Sequence, residues 1–324
     1  MPQDAARRVR EEALRRGFSH CGIADAQGPF PEGARLEPWL ERGYHAGMAW
    51  MERSAAKRAD PSKVVPGVRS IVVVAAPYHT PERHSENPAH GKISRYAWGE
   101  DYHRVLGDRL KRFLGWLHAS WPGERSVWYA DTGPVMEKPW AQHAGVGWVG
   151  KHTNLITRDR GSWVFLGVVL TTLPLAADET ATDHCGTCTL CLDACPTGAL
   201  VEPYLLDAGR CISYLTIEHR GPIPEEFRGK FENWIFGCDI CQDVCPWNGK
   251  APAEAADPAF RPAPGMQAPL LEEWGGMTEE EFAGRFTRSP LRRPKREGLL
   301  RSIAFVRGEK GADPDMPAGA SHHQ

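Results

Sequence analysis

The chain has 324 residues, 41% of them hydrophobic and 25% charged, with a formal net charge of -2. This length suits a soluble protein of about two domains, and the longest apolar run, 163–170, is far too short to cross a bilayer, so no membrane partner is expected. The opening MPQDAARRVREEALRRG is charged and lacks the apolar core of a signal peptide, which points to the cytoplasm and to reduced cysteines.

A helix is expected over 3–16, stopped by Gly17, with Val9, Leu14 and Phe18 on or near its apolar side. A strand follows at 20–24, then a helix over 38–53 carrying Trp39, Leu40, Met48 and Trp50, then a buried strand at 70–76. After a polar loop rich in His and Pro, a helix over 101–120 is stopped by Pro122-Gly123. A strand at 126–130 ends in Asp131-Thr132-Gly133, and a helix at about 135–144 leads into the glycine-rich loop 145–152. The segments 153–157 and 162–172 are expected to form a hairpin around 158–161. Strands and helices alternate, so residues 1–178 read as an α/β or α+β domain, separated by the acidic linker 176–183 from a cysteine-rich domain over 179–255. After Lys250 the composition turns Pro and Ala rich, then basic through 256–310, and 311–324 reads as a disordered tail.

Seven of the nine cysteines fall in two runs. Cys185-x2-Cys188-x2-Cys191-x3-Cys195-Pro196 has the spacing that holds 4Fe-4S clusters in ferredoxins, where the last cysteine of each run ligates the other run's cluster. The second run, Cys238-x2-Cys241-x3-Cys245-Pro246, lacks its first member, because the register puts that ligand at 235, which is Ile235. Only Cys21 and Cys211 remain to replace it. Cys211 lies between the runs and Cys21 in a distant N-terminal segment, which favours Cys211. The crossed pattern then gives one cluster Cys185, Cys188, Cys191 and Cys245, and the other Cys195, Cys211, Cys238 and Cys241. Structural zinc would use two-plus-two cysteine pairs, and disulfides would need an oxidising compartment. The chain therefore reads as an electron carrier or a redox enzyme.

The glycine loop matches two nucleotide signatures only in part. Gly145-x-Gly147-x-x-Gly150 follows a helix and precedes a strand, the reverse of the dinucleotide fingerprint's order. Gly145-x4-Gly150-Lys151 lacks the closing Ser or Thr of a P-loop, and His152 cannot replace that hydroxyl on magnesium. The loop is either a place where backbone approaches a flat or anionic ligand, with Lys151 adding charge, or a tight turn between helix and strand. Downstream, Arg285, Arg288, Arg292, Arg293, Lys295, Arg296 and Arg301 face only Glu297. Such a run suits a polyanion such as RNA, or a solvated helix face.

Six blocks together resemble the epoxyqueuosine reductases: Lys57-Arg-Ala-Asp-Pro61, Ser94-Arg-Tyr-Ala-Trp-Gly-Glu-Asp-Tyr-His103, Asp131-Thr-Gly-Pro-Val-Met-Glu-Lys138, Ala144-Gly-Val-Gly-Trp-Val-Gly-Lys-His152, Cys211-Ile-Ser-Tyr-Leu-Thr-Ile-Glu218 and Gly237-Cys-Asp-Ile-Cys-Gln-Asp-Val-Cys-Pro246. The cysteine runs are shared with many iron-sulfur proteins, whereas the blocks at Asp131 and Cys211 are far more specific. The resemblance implies an α+β protein: an N-terminal cobalamin-binding α/β domain similar to reductive dehalogenases, then a ferredoxin-like domain with two 4Fe-4S clusters, then the basic segment toward tRNA. It implies reduction of the epoxide of epoxyqueuosine at the tRNA wobble position, the last step to queuosine, with electrons from a low-potential donor. It makes Cys211 a cluster ligand and Asp131 the proton donor, with Arg58, Ser94, Asp131, Lys151, His152, Thr153 and Asn154 around base-off cobalamin. His152 departs from the family, where Asn is usual, and longer members continue into C-terminal helical repeats beyond the point where this chain stops.

The chemistry is consistent with those roles. Taking an epoxide to an alkene needs two electrons and loss of the oxygen as water, and an alkoxide leaves badly unless protonated. Asp131 can supply that proton if burial or a neighbouring charge keeps it protonated near neutral pH, although a turn-capping Asp would occupy the same position. Clusters of this type span roughly -700 to +450 mV, so a low-potential pair can charge cobalamin one electron at a time. Asp101-Tyr102-His103 begins the Asp-x-His-x-x-Gly loop of cobalt-ligating histidines, but Gly107 comes one place late, so His103 reads as part of a helix start. His79, His84 and His90 lie in a loop that needs no metal. Two other classes share features with this chain. A reductive dehalogenase would carry a twin-arginine export signal, and Arg7-Arg8 lacks the apolar segment that should follow. A ferredoxin-type electron carrier would leave the N-terminal domain without a purpose.

Overall fold

The structure is a computed structural model that describes residues 1–28, 30–250 and 257–309; the Pro- and Ala-rich stretch at 251–256 and the tail expected at 311–324 lie outside the described residues. Every residue of the strand Ser70–Pro77 is buried. Successive side chains of a strand point to opposite faces, and both faces here are covered, so the sequence shows an unbroken apolar run rather than an alternation. Val72, Val74 and Ala76 pack with Val9, Ala13, Leu110 and Phe113. Ile71, Val73 and Ala75 pack on the other side with Val65, Trp140 and Ala141.

This strand is flanked by His20–Asp25 and Val164–Thr171, and Ser126–Tyr129 completes the sheet beyond the latter. All three pairings are antiparallel. Of the α/β and α+β readings of the N-terminal region the sheet agrees with α+β, and the α/β domain implied by the resemblance is corrected: the helices lie between the strands in sequence, yet each return to the sheet runs against its neighbour. The helix Pro2–Arg15 ends at Gly17, whose φ is +83°. The helix Tyr102–Ser120 is capped by the Asp101 carboxylate, which accepts the His103 backbone N–H at 3.0 Å.

Two local expectations fail for identifiable reasons. The helix expected over 38–53 is instead Pro31–Glu41 and Ala49–Arg53, separated by turns in which Gly43 and Ala46 adopt φ of +69° and +50°. The expected hairpin does not form either. Leu155–Ile156 folds back onto Trp148–Val149, Val164–Thr171 enters the main sheet, and Thr157 forms an isolated bridge with Gly161 in the intervening turn. Gly147 permits the smaller hairpin, since a Cβ there would lie 2.3 Å from the Ile156 carbonyl oxygen. At this position the glycine-rich loop uses its freedom to approach its own chain.

The cysteine-rich and basic segments share cores with the N-terminal region. Trp234–Phe236 pairs in parallel with Lys92–Ile93. Ile235, at the position where a cluster ligand is missing, is fully buried beside Trp274, Phe286, Leu299 and Ile303 of the C-terminal helices. No helix among the described residues is long and apolar enough to cross a membrane.

Candidate functional site

Eight cysteines are gathered around two cavities. The smaller, of about 230 Å³, is bordered by Cys185, Cys188, Cys191 and Cys245. The larger, of about 460 Å³, takes in Cys195, Cys211, Cys238 and Cys241. Burial raises the thiols of Cys191, Cys211, Cys238, Cys241 and Cys245, and neighbouring cysteines add to the rise in the same grouping. Cys191 feels Cys185 and Cys245, and Cys245 feels Cys188. In the other quartet Cys211 feels Cys195, Cys238 feels Cys241 and Cys211, and Cys241 feels Cys211 and Cys195, with Cys191 of the first quartet also in range. All nine thiols are free of disulfides. Among the described residues no group of three or more His, Cys, Asp or Glu is placed to hold a metal ion. Each quartet borders one cavity, and the four thiolates of a cubane cluster need not converge on one atom, since they reach different iron atoms.

Local sequence accounts for these positions. The short helices Leu190–Asp193 and Ile240–Asp243 carry the middle of each run. Gly237, at φ +66°, turns the chain from the strand Trp234–Phe236 into the second run, and a Cβ there would meet the Ser94 Cβ at 2.5 Å. The next anchor is Asp239, fully buried between Cys238 and Cys241. Its carboxylate accepts from the Ser94 hydroxyl, from the Arg95 backbone N–H at 2.9 Å and from the Arg95 guanidinium at 3.0 Å. Cys211 is placed at the N-terminus of the helix Ile212–Ile217.

Asp131 borders the larger cavity with Tyr96, Tyr102, Glu137 and Lys138. It has a φ of +62°, a left-handed conformation that Asp tolerates better than most L-residues. Glu137 accepts its backbone N–H at 2.7 Å. One Asp131 carboxylate oxygen lies 3.2 Å from His103 Nε2, and His103 Nδ1 lies 2.8 Å from the Asp101 carboxylate. Burial disfavours the imidazolium, but the two flanking carboxylates outweigh it and raise His103 to about 9. Burial likewise pulls the Asp131 carboxyl up, but the His103 hydrogen bond and charge win and hold it below the usual carboxylate range. The side chain is still 63% exposed, so solvent reaches it through the cavity. In this geometry the neighbours of Asp131 favour its carboxylate form and favour the imidazolium of His103. Glu137, pushed up to about 8 by burial and then by Asp131, is a second proton store.

Ser94, His152, Thr153 and Asn154 line the larger cavity. The Ser94 hydroxyl is engaged by Asp239. Lys138 fixes the 153–154 turn, donating to the Thr153 carbonyl at 3.0 Å and to the Asn154 side chain at 2.9 Å. Arg58 is not among the residues lining that cavity; its guanidinium donates to Ser54 Oγ and the Val135 carbonyl. Lys151 belongs to the smaller cavity and donates to the carbonyls of Gly186 and Cys188 at 2.6 and 2.9 Å. Glu137 and Lys138, at the start of the helix Glu137–His143, belong to the Asp131 block in the sequence and join Asp131 at the cavity.

Most of the basic run is already engaged. Arg285 pairs with Glu273 and Arg288 with Glu100. Arg296 donates to the Met277 carbonyl at 2.6 Å, and Arg301 donates to the carbonyls of Leu215, His219 and Gly221. Arg293 grips Glu218 with two bonds of 2.9 and 3.0 Å, lies over the Trp50 ring, and feels the charge of Asp131. Arg292 and Lys295 are exposed and have no carboxylate partner among the described residues.

The profile of the 4Fe-4S double cluster binding domain matches residues 184–248, and that of epoxyqueuosine reductase QueG, DUF1730, matches residues 58–132. The epoxyqueuosine reductase of Synechocystis sp. is 49% identical over 271 residues, covering 83% of this chain and 92% of its own. That of Leadbetterella byssophila is 45% identical over 305 residues, covering 94% and 99%. A solved epoxyqueuosine reductase with a tRNA-Tyr epoxyqueuosine-modified stem loop superposes with a TM-score of 0.84 at 32% identity, over 94% of this chain and 80% of that one. The Bacillus subtilis enzyme, with an aspartate-bearing catalytic loop swung out of its active site, also gives 0.84 at 32% identity, over 94% and 81%. By this similarity across nearly its whole length, the chain belongs to the epoxyqueuosine reductase family.

Proposed function

We propose that this protein reduces the epoxide of epoxyqueuosine in the tRNA wobble position to queuosine, releasing the oxygen as water. The observation that carries this reading is one cavity bordered by both Asp131 and the quartet Cys195, Cys211, Cys238 and Cys241, in a chain of this family. Each quartet would hold a 4Fe-4S cluster, and cobalamin would be held in the larger cavity beside Ser94, His152, Thr153 and Asn154. The fit rests on the cavity's walls, which are apolar at Val164, Leu166, Leu200 and Ile212 and polar at the 152–154 turn. When bound, these groups supply low-potential electrons, received in turn from an external donor. Residues 1–178 contribute the Asp131 side and the 152–154 turn of the cobalamin pocket, 179–255 the cluster ligands and the facing wall at Leu200 and Ile212, and 256–310 the arm toward tRNA.

The protein's own residues handle the protons. The reaction consumes two electrons and two protons, breaking both C–O bonds of the epoxide. Asp131 passes a proton to the leaving oxygen, and His103, hydrogen-bonded behind it and held by Asp101, replenishes it. A catalytic aspartate loop in the Bacillus subtilis relative supports this role.

A pH profile tests the relay. With His103 raised to about 9, turnover should fall as pH rises through that value, and His103→Gln should lower the rate and abolish this alkaline limb. The same shift contributes stability that is fully present below the ordinary value of 6.5 and lost as pH rises through about 9. An unchanged alkaline limb in His103→Gln would exclude His103 as the store.

For tRNA, Arg292 and Lys295 are the cations available to phosphates, with Arg293 near Asp131. Arg292→Glu combined with Lys295→Glu should weaken stem-loop binding and reduce the slope of log K against log salt by about 1.4 to 1.8, the loss of two phosphate contacts. Filter binding across a salt series reads this out, and an unchanged slope removes these residues from the interface. Cobalamin binding is tested by titrating the anaerobic protein and recording the corrinoid spectrum. The account requires saturable binding, and its absence would overturn the cavity assignment.

A further inference from the structure

The turn between Trp148–Val149 and Leu155–Ile156 carries a buried imidazole with half its hydrogen-bonding capacity unused. His152 is 3% exposed. Its Nδ1 accepts the Asn154 backbone N–H at 3.1 Å. A backbone N–H can only donate, so Nδ1 holds the lone pair and the ring proton is carried by Nε2. That Nε2 has no hydrogen-bond partner among the described residues. Buried donors without acceptors are rare and costly, so an orphan fixed in one tautomer indicates an acceptor supplied by a ligand.

His152 is among the residues bordering both cavities. Two observations favour the smaller one. Lys151 bonds the carbonyls of Gly186 and Cys188, fastening this turn to the first cysteine loop. On the side of the larger cavity, the turn already receives donors from Lys138, whose charge also reaches His152. The acceptor that fits the smaller cavity is anionic sulfur, because four cysteines form its wall.

We infer that His152 Nε2–H donates a hydrogen bond to sulfur of the cluster held by Cys185, Cys188, Cys191 and Cys245, raising that cluster's reduction potential. This rests on the proposal that the quartet holds a cluster. A hydrogen bond to sulfur stabilises the more negative, reduced state, and such bonds are among the determinants of cluster potential. His152 is thus a tuning residue between the cluster and the larger cavity, and it ligates nothing itself.

The test is an EPR-monitored redox titration of the anaerobically reconstituted full chain, with His152→Leu and His152→Gln. In His152→Leu one cluster should titrate at lower potential while the other stays unmoved. His152→Gln, which keeps a side-chain N–H donor, should restore part or all of the shift. If His152→Leu does not assemble its cluster, His152→Gln decides: assembly with a potential near that of the parent supports the bond, and loss of assembly in both variants marks the ring as packing and overturns it. Unmoved potentials in a fully assembled His152→Leu overturn the inference and leave the proposed function standing. A parent protein without iron and sulfide at this quartet overturns both. A changed spectrum of added cobalamin with unmoved cluster potentials assigns the donor to the larger cavity, and that also overturns it.

Discussion

Asp131→Asn is expected to lower turnover by about two to four orders of magnitude, the range for a positioned proton donor, while iron content, cobalamin binding and stem-loop affinity stay at parental levels. The epoxide oxygen cannot leave as an alkoxide, and the amide cannot relay a proton from His103 to it. The substitution is nearly isosteric, and the backbone N–H that bonds Glu137 is retained, so the left-handed turn should persist. The side chain has few packing contacts to lose, being 63% exposed. His103 would lose one of the two carboxylates that raise it, so any residual activity should decline at a lower pH than in the parent. Parental turnover in Asp131→Asn would remove the carboxylate from the mechanism and leave His103 or Glu137 as the direct donor.

Cys211→Ala should remove one cluster and leave the other. Iron and sulfide should fall by half, one EPR signal should vanish, and turnover should drop to background. Four thiolates hold a cluster of this type, and the run that ends in Cys245 provides only Cys238 and Cys241 for the second quartet. The position that would supply another, Ile235, is fully buried in a core shared with the C-terminal helices. The remaining thiol, Cys21, lies in the strand His20–Asp25 and packs against the N-terminal core. No cysteine outside the quartets is therefore placed to substitute. A full complement of iron in Cys211→Ala would break the crossed assignment.

What was legible in the sequence was the chemistry carried by local spacing. The cysteine runs, the gap at Ile235 and the position of Cys211 need only the register of the chain, and the cavities divide the thiols along the same lines. The buried strand Ser70–Pro77 was legible because a run covered on both faces must be apolar throughout. Features set by tertiary contact were not. His103 reaches Asp131 across 28 positions, and its hydrogen bond and charge pull that carboxyl down, a contact no local pattern shows. The basic run looked uniformly available, yet Glu273, Glu100 and Glu218 neutralise three of its arginines from distant segments, and Arg301 is turned inward onto backbone carbonyls. The helix break at 42–48 comes from left-handed turns at Gly43 and Ala46, and the apolar residues Trp39, Leu40, Met48 and Trp50 on either side do not mark it.

The most direct test is nucleoside mass spectrometry of an epoxyqueuosine-containing tRNA stem loop after incubation with the anaerobically reconstituted protein, cobalamin and a low-potential reductant. The account predicts loss of one oxygen atom from the modified base, giving queuosine, in a reaction that depends on cobalamin. Epoxyqueuosine left intact by a preparation that demonstrably holds both clusters and cobalamin would contradict it.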